Sequence, residues 1–275
     1  MNSRERITSI LNFEEPDRVG FHDWFWAETV ERWKNEGMPS SYLRAPYLWS
    51  HFGYGTTLDF PGMRNEFWGV SCDITPRYQM LIIEKKARTK IARDEWGVKQ
   101  ESFIDHSGFP HVVDPTIRTL EDFKERIEPC YSPGDPGRVY NPNYPFKDDV
   151  KSLIRKLQRK YFVPVSIGGA WEYVRHILGP RIDFVLIKLI KDPKLVSYAL
   201  NFLGDIAEKT ARAFVDLGVD GLYCAEDLGY KNGPFFAPET YRRFLQPIHR
   251  KITAPFRERG LPTILHCCGG VRLLV

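Results

Sequence analysis

Hydrophobic and polar positions alternate with a clear period mainly in the second half of the chain. Phe162-Val163-Pro164-Val165-Ser166-Ile167 is a short apolar run ending at Gly168-Gly169, the pattern of a buried strand. Asp192 then suits an N-cap, and Pro193 the first position of a helix. Leu195, Val196, Ala199, Leu200, Leu203, Ile206, Ala207, Thr210, Ala211 and Phe214 follow with helical spacing, and Gly218 is a natural stop. Val219 to Ala225 is a second strand run. Pro238 opens a helix to about Arg259, and Pro262 to Cys267 is a third strand run. Strand, long helix, strand, long helix, strand predicts βαβ units and a parallel sheet. The spacing of roughly 45 to 55 residues per unit leaves room for active-site loops after each strand.

The first half is less regular. The polar start, Met1 to Arg6, leads into a short amphipathic helix. Arg18 to Trp24 reads as a strand after the Pro16-Asp17 turn. Leu81 to Lys86 and Thr89 to Trp96 read as an antiparallel pair, and Thr119 to Asp122 as a capping box. Residues 129–147, rich in Pro, Gly, Asn and Tyr, read as a loop. Asp148 to Tyr161 is an amphipathic helix with Val150, Leu153, Ile154 and Leu157 on its apolar side.

Composition narrows the functional classes. The 275 residues, 43% hydrophobic and 27% charged, suit a soluble globular fold with a large core. A net charge of +4 arises from 39 basic and 35 acidic residues with no basic block, so nucleic acid is not an expected partner. No apolar run reaches the roughly 18 residues that a membrane span needs, and the N-terminus is not a signal peptide. Five cysteines do not form a disulfide framework, which points to a reducing cytoplasm.

Candidate chemistry gathers at strand ends. His266 and Cys268 lie two apart after the last apolar run, so they share a face while Cys267 points away. An imidazole and a thiolate side by side are good zinc ligands; a buried cysteine beside a hydrogen-bonded histidine is the simpler alternative. The other strand ends carry His22-Asp23-Trp24, Gly168-Gly169-Ala170-Trp171-Glu172, and Cys224-Ala225-Glu226-Asp227 followed by Tyr230-Lys231. In a parallel α/β fold such ends converge on one side. Glu226-Asp227 also suits a turn cap, Trp24 and Trp171 also suit a core, and Cys224 reads as a plain buried cysteine.

These residues resemble a family. Arg4-Glu5-Arg6-Ile7 and Asn12 through Pro16-Asp17-Arg18-Val19 are similar to the opening of uroporphyrinogen-decarboxylase-like proteins. Gly218-Val219-Asp220-Gly221 to Glu226-Asp227, then Pro238-Glu239 to Phe244 and Pro247, resemble a second family segment. His266-x-Cys268-Gly269 resembles the H-x-C-G of the corrinoid-dependent methyltransferase branch. The resemblance implies a TIM-type (β/α)8 barrel over residues 1–275, with an irregular insertion at about 35–147. It places His266 on the fifth strand, so the last about three strands, and a third zinc ligand (a Cys near the last strand), would lie beyond a C-terminally truncated chain. It also implies a zinc-dependent methyltransferase exchanging a methyl group with a corrinoid (cobalamin) carried by a partner protein, together with a small-molecule methyl donor or acceptor. His266 and Cys268 would hold the metal, and Glu226 or Asp227 would act as the catalytic carboxylate. His22, Asp23, Trp24, Trp171, Glu172, Tyr230 and Lys231 would line the substrate pocket. Where the family's decarboxylases carry an arginine-rich segment this chain has His22-Asp23-Trp24-Phe25-Trp26, which argues against a porphyrinogen. A metal-independent decarboxylase acting on another acidic substrate, and a non-catalytic binding protein, are the two other readings.

Overall fold

The computed structural model describes residues 1–23, 25–43, 55–56, 64–106, 108, 110–132, 147–179 and 181–274. Helix α1 (Ser3–Leu11) starts at a capping box, in which Asn2 accepts from the Glu5 N–H and Glu5 accepts from the Asn2 N–H. Strand β1 (Phe25–Trp26), helix α2 (Ala27–Asn35) and strand β2 (Gly55–Thr56) follow, β1 pairing antiparallel with β2.

The stretch from Arg18 to Asp23, expected as a strand, is irregular. Its backbone is held by Glu66 instead of a ladder. The Glu66 carboxylate accepts from the Phe21 N–H (2.8 Å), and the Glu66 N–H donates to the Phe21 carbonyl (3.0 Å). Trp24, the last residue of that expected strand, lies outside the described residues.

Strand β3 (Val70–Ser71) precedes an antiparallel sheet of β4 (Leu81–Lys85), β5 (Thr89–Arg93), β6 (Lys99–Phe103) and β7 (His111–Asp114), paired in chain order. The expected β4–β5 pair is thus half of a four-stranded sheet. Next come α3 (Leu120–Arg126), with the expected Thr119 capping box, and α4 (Lys147–Gln158). Most of the expected 129–147 loop lies outside the described residues.

Strand β8 (Pro164–Gly168) leads through α5 (Ala170–Leu178), α6 (Ile182–Lys191) and α7 (Pro193–Leu217) to β9 (Gly221–Ala225). The side chain of Asp192 caps α7, and Gly218 ends it in the left-handed region (φ 87°), both as the spacing predicted. A hairpin of β10 (Gly229–Tyr230) and β11 (Gly233–Pro234) follows. The helix expected from Pro238 is two: α8 (Pro238–Phe244) and α9 (Gln246–Glu258), the second carrying Pro247 in its first turn, where the missing N–H cannot continue the first helix. Strand β12 (Thr263–His266) is the last strand among the described residues.

β3, β8, β9 and β12 form a parallel sheet whose spatial order follows the chain without reversal. Val165, Ile167, Leu222 and Cys224 point to its helix-covered face, packed in one core with Leu203, Ala207 and Phe214 of α7 and Ile248, Ile252 and Phe256 of α9. The antiparallel sheet is anchored to α5. Asp94 accepts from the Trp96 and Val98 N–H groups and meets His176 Nε2 at 2.5 Å, while Trp96 stacks on Tyr173. No helix among the described residues is long and apolar enough to cross a membrane. All five cysteines are free thiols.

Candidate metal centre

Strand alternation carries His266 and Cys268 to one side of the sheet's C-terminal edge. His266 Nε2 lies 3.3 Å from Cys268 Sγ. A tetrahedral zinc held by one nitrogen and one thiolate spans about 3.5 Å between those donors, so the pair sits close to its liganding distance. Cys267 points away, and its sulfur accepts from the Leu228 N–H at 3.2 Å. The turn that follows is pressed onto the β10–β11 hairpin. The Gly270 N–H donates to the Tyr230 carbonyl at 3.0 Å, and a Cβ on Gly269 would come within 2.2 Å of the Gly229 backbone. Only glycine lets the two loops approach this closely.

A third donor comes from the end of β9. Asp227 accepts from the Cys268 N–H at 2.8 Å. Asp227, His266 and Cys268 bring one ligand atom each within 4.8 Å of one another. A nitrogen, a sulfur and a carboxylate oxygen suit Zn²⁺, with a fourth position left for a ligand. Cys268 is exposed while its two neighbours are half-buried. Burial, followed by the Asp227 carboxylate, pushes the Cys268 thiol up to about 11. It is therefore protonated at neutral pH in the metal-free chain and must lose that proton to a metal.

The remaining expected residues divide. His22 lies beside the cluster: its ring is edge-on to Tyr223 (5.9 Å between centroids), and Tyr223 stacks over His266 (6.1 Å). His22 Nδ1 is 3.0 Å from Asn65 Oδ1, and the fully buried Asn65 donates to the Asp23 carbonyl. Burial lowers His22 and raises Tyr223 to about 12, the second shift reinforced by Cys268 and Asp23. Glu172, in the first turn of α5, pairs with Arg175. Burial pushes its carboxyl up against the pull of Arg175, and Asp227 and Glu226 add to the rise. Tyr230 and Lys231 are exposed on the hairpin, with Tyr230 stacked on Phe235. Trp171 is fully buried, edge-on to Phe236 in the core.

Adjacent carboxylates at the end of β9 take opposite positions. Glu226 is 1% exposed. One of its oxygens accepts from the Trp171 N–H at 2.7 Å, the other meets His249 Nε2, and its own N–H donates to the His266 carbonyl at 2.9 Å. Gly169 makes room for it, since a Cβ there would lie 2.0 Å from the carboxyl carbon. Glu226 therefore braces the strands from beneath while Asp227 faces the metal-ligand pair. Tyr223, Asn65 and His249 were not anticipated from the sequence. Alternation along β9 places Tyr223 on the face of Ala225, the register partner of His266, which is the signal that was present.

The parallel sheet agrees with similarities to known proteins. Two curated relatives are the methylcobamide:CoM methyltransferases MtbA of Methanosarcina acetivorans (22% identical) and Methanosarcina mazei (24% identical). Each match runs over 160 residues, covering 58% of this chain and 44% of the relative, so the matched part spans less than half of those proteins. A solved methyltransferase structure from Methanosarcina mazei has a similar fold, with a TM-score of 0.55 at 15% identity, covering 98% of this chain and 70% of that one. The family model for uroporphyrinogen decarboxylase (URO-D) matches residues 97–275, and the chain belongs to that family.

Proposed function

We propose that this chain is a methyltransferase of the family that uses zinc and exchanges a methyl group with a corrinoid carried on a partner protein, in the cytoplasm. The single observation that carries the reading is the convergence of Asp227, His266 and Cys268 at the C-terminal edge of the parallel sheet. The names of its curated relatives supply the methyl-transfer chemistry. The described strands would form part of a (β/α)8 wall, whose C-terminal rim is where such folds keep their sites.

His266, Cys268 and Asp227 would hold the metal. When bound, zinc supplies a Lewis acid that keeps a substrate thiol as thiolate or polarises a donor oxygen. Asp227 serves as a ligand, and its bond to the Cys268 N–H fixes the turn that presents the thiol. Glu226 keeps the strand ends in register and touches no open space. His22, Asp23, Glu172 and Tyr223 line the rim beside the cluster, with Tyr230 and Lys231 as further lining and Trp171 supporting from the core. Among the described residues this rim presents Asp23, Glu172 and Asp227, with the cation Lys231 exposed on the hairpin, and Arg175 is already paired with Glu172. A substrate rich in carboxylates would meet like charge here, which disfavours the decarboxylase reading.

Metal analysis tests the assignment. The purified chain should hold about one zinc, and the His266→Ala, Cys268→Ala double variant none. Zinc retained at full occupancy in that variant would sink it.

A further inference from the structure

Beneath the candidate metal centre lies a chain of hydrogen bonds that no ligand would touch. It runs from the Tyr241 hydroxyl to His249 Nδ1 (2.9 Å), from His249 Nε2 to the Glu226 carboxylate, and from there to the Trp171 N–H (2.7 Å). Glu226 in turn grips the His266 carbonyl through its backbone N–H at 2.9 Å. Four elements meet at this one residue: α5 and α9 at its carboxylate, through Trp171 and His249, and β9 and β12 at its backbone.

We propose that His249 is a positioning residue, which through the carboxylate of Glu226 keeps Asp227, His266 and Cys268 at the spacing that one cation requires. This inference rests on the metal-binding reading above. The argument is one of satisfaction. Glu226 is fully buried, and an ionised carboxylate there needs donors to both oxygens. Trp171 supplies one donor and His249 the other. A carboxylate facing Nε2 holds a proton on that nitrogen, while Nδ1 meets the Tyr241 hydroxyl. Without His249, one Glu226 oxygen faces the core with no donor. The side chain must then shift or turn to another donor. Either change is transmitted directly, because the next backbone bond holds His266 and the next residue is Asp227. Outer hydrogen bonds of this kind typically govern metal affinity by about 10–100-fold.

The test uses the full chain and measures zinc affinity by competition with a chromophoric chelator. The visible spectrum of the Co²⁺-loaded protein and the thermal midpoint of the metal-free protein are recorded alongside. His249→Leu keeps the bulk but removes the donor; His249→Gln restores an N–H near the same point. His249→Leu should weaken zinc binding by about 10-fold or more and shift the cobalt bands, while His249→Gln stays within about 3-fold of the parent. If His249→Leu fails to fold, Glu226→Gln carries the same expectation. Leucine and parent proteins with equal affinity and identical cobalt spectra overturn the proposal, as does a glutamine variant as weak as the leucine one. A parent protein that binds neither zinc nor cobalt overturns the metal-binding reading itself, and this inference with it, which separates the two failures.

Discussion

The two ends of the parallel sheet use carboxylates in opposite ways. At the N-terminal end, Asp220 receives Arg4 through both Nε and Nη2, Gln158 Nε2 at 2.8 Å and the Val163 N–H at 2.8 Å. Nearby, the fully buried Glu66 is shared by Arg6, Arg18 and the Phe21 N–H. Both oxygens of each carboxylate accept from groups within the chain, which leaves little capacity for a ligand. At the C-terminal end, Asp227 takes one N–H, from Cys268, among the described residues, and shares its open side with an imidazole and a thiol. The opening residues Arg4, Arg6, Asp17 and Arg18, which first pointed to the family, thus work as a clamp; the closing ones gather at the candidate metal centre. Parallel α/β folds separate stability from chemistry in this way.

The comparison breaks most visibly at the clamp. Glu66→Ala strands Arg6, whose side chain is 6% exposed, without its buried partner. Removing one member of a buried pair costs about 3–5 kcal/mol, so chemical denaturation should show a loss of that size. Asp220→Ala should cost less, about 2 kcal/mol, because Arg4 is half in solvent and can rehydrate. Zinc affinity of the fraction that remains folded should hold in both. Cys268→Ser is the converse. It should leave the metal-free stability within about 0.5 kcal/mol while zinc affinity collapses. A clamp variant that loses zinc while fully folded would erase the division between the two ends.

Much of this was legible in the sequence, and the parts that were not share a cause. Apolar runs and caps located β8, β9, β12 and α7 because burial and capping are local signals. The turn after His266 was legible for the same reason, since alternation fixes which of Cys267 and Cys268 accompanies it. The partner at Asp227 was not, because it depends on β9 and β12 being neighbours in register, with His266 opposite Ala225. Glu226 and Asp227 are both acidic on paper; the covering helices α5 and α9, through the Trp171 N–H and His249, take Glu226 into the core. The stretch before Trp24 carries strand-like residues, but it is held by Glu66, a long-range carboxylate that no local pattern announces.

Acid sharpens the clamp side. The bond from Arg6, reinforced by the N-terminal amine, holds the Asp17 carboxyl well below the usual carboxylate range. A depressed carboxyl contributes its stability above its unfolded value, near pH 4, and loses it as pH falls toward the folded one. Unfolding free energy should therefore decline below about pH 4, with a shallower slope in Asp17→Asn. An unchanged slope in that variant would remove Asp17 from the clamp.

The smallest expected effect lies where the site meets the aromatic wall. Tyr223 stands between His22 and His266, edge-on to one and stacked on the other. If its role is to hold the His266 ring at the angle the cluster needs, the ring matters and the hydroxyl does not. Aromatic pairs of this kind are worth about 0.5–1.5 kcal/mol, which corresponds to a few-fold change in zinc affinity. Tyr223→Phe should bind zinc within about 2-fold of the parent, and Tyr223→Leu should be weaker by about 3–10-fold, both measured by chelator competition. If leucine binds as tightly as phenylalanine, the stacking does not orient His266. The site's geometry would then be set from below, by the backbone bond to Glu226, with the aromatic wall left to shape the space a substrate enters.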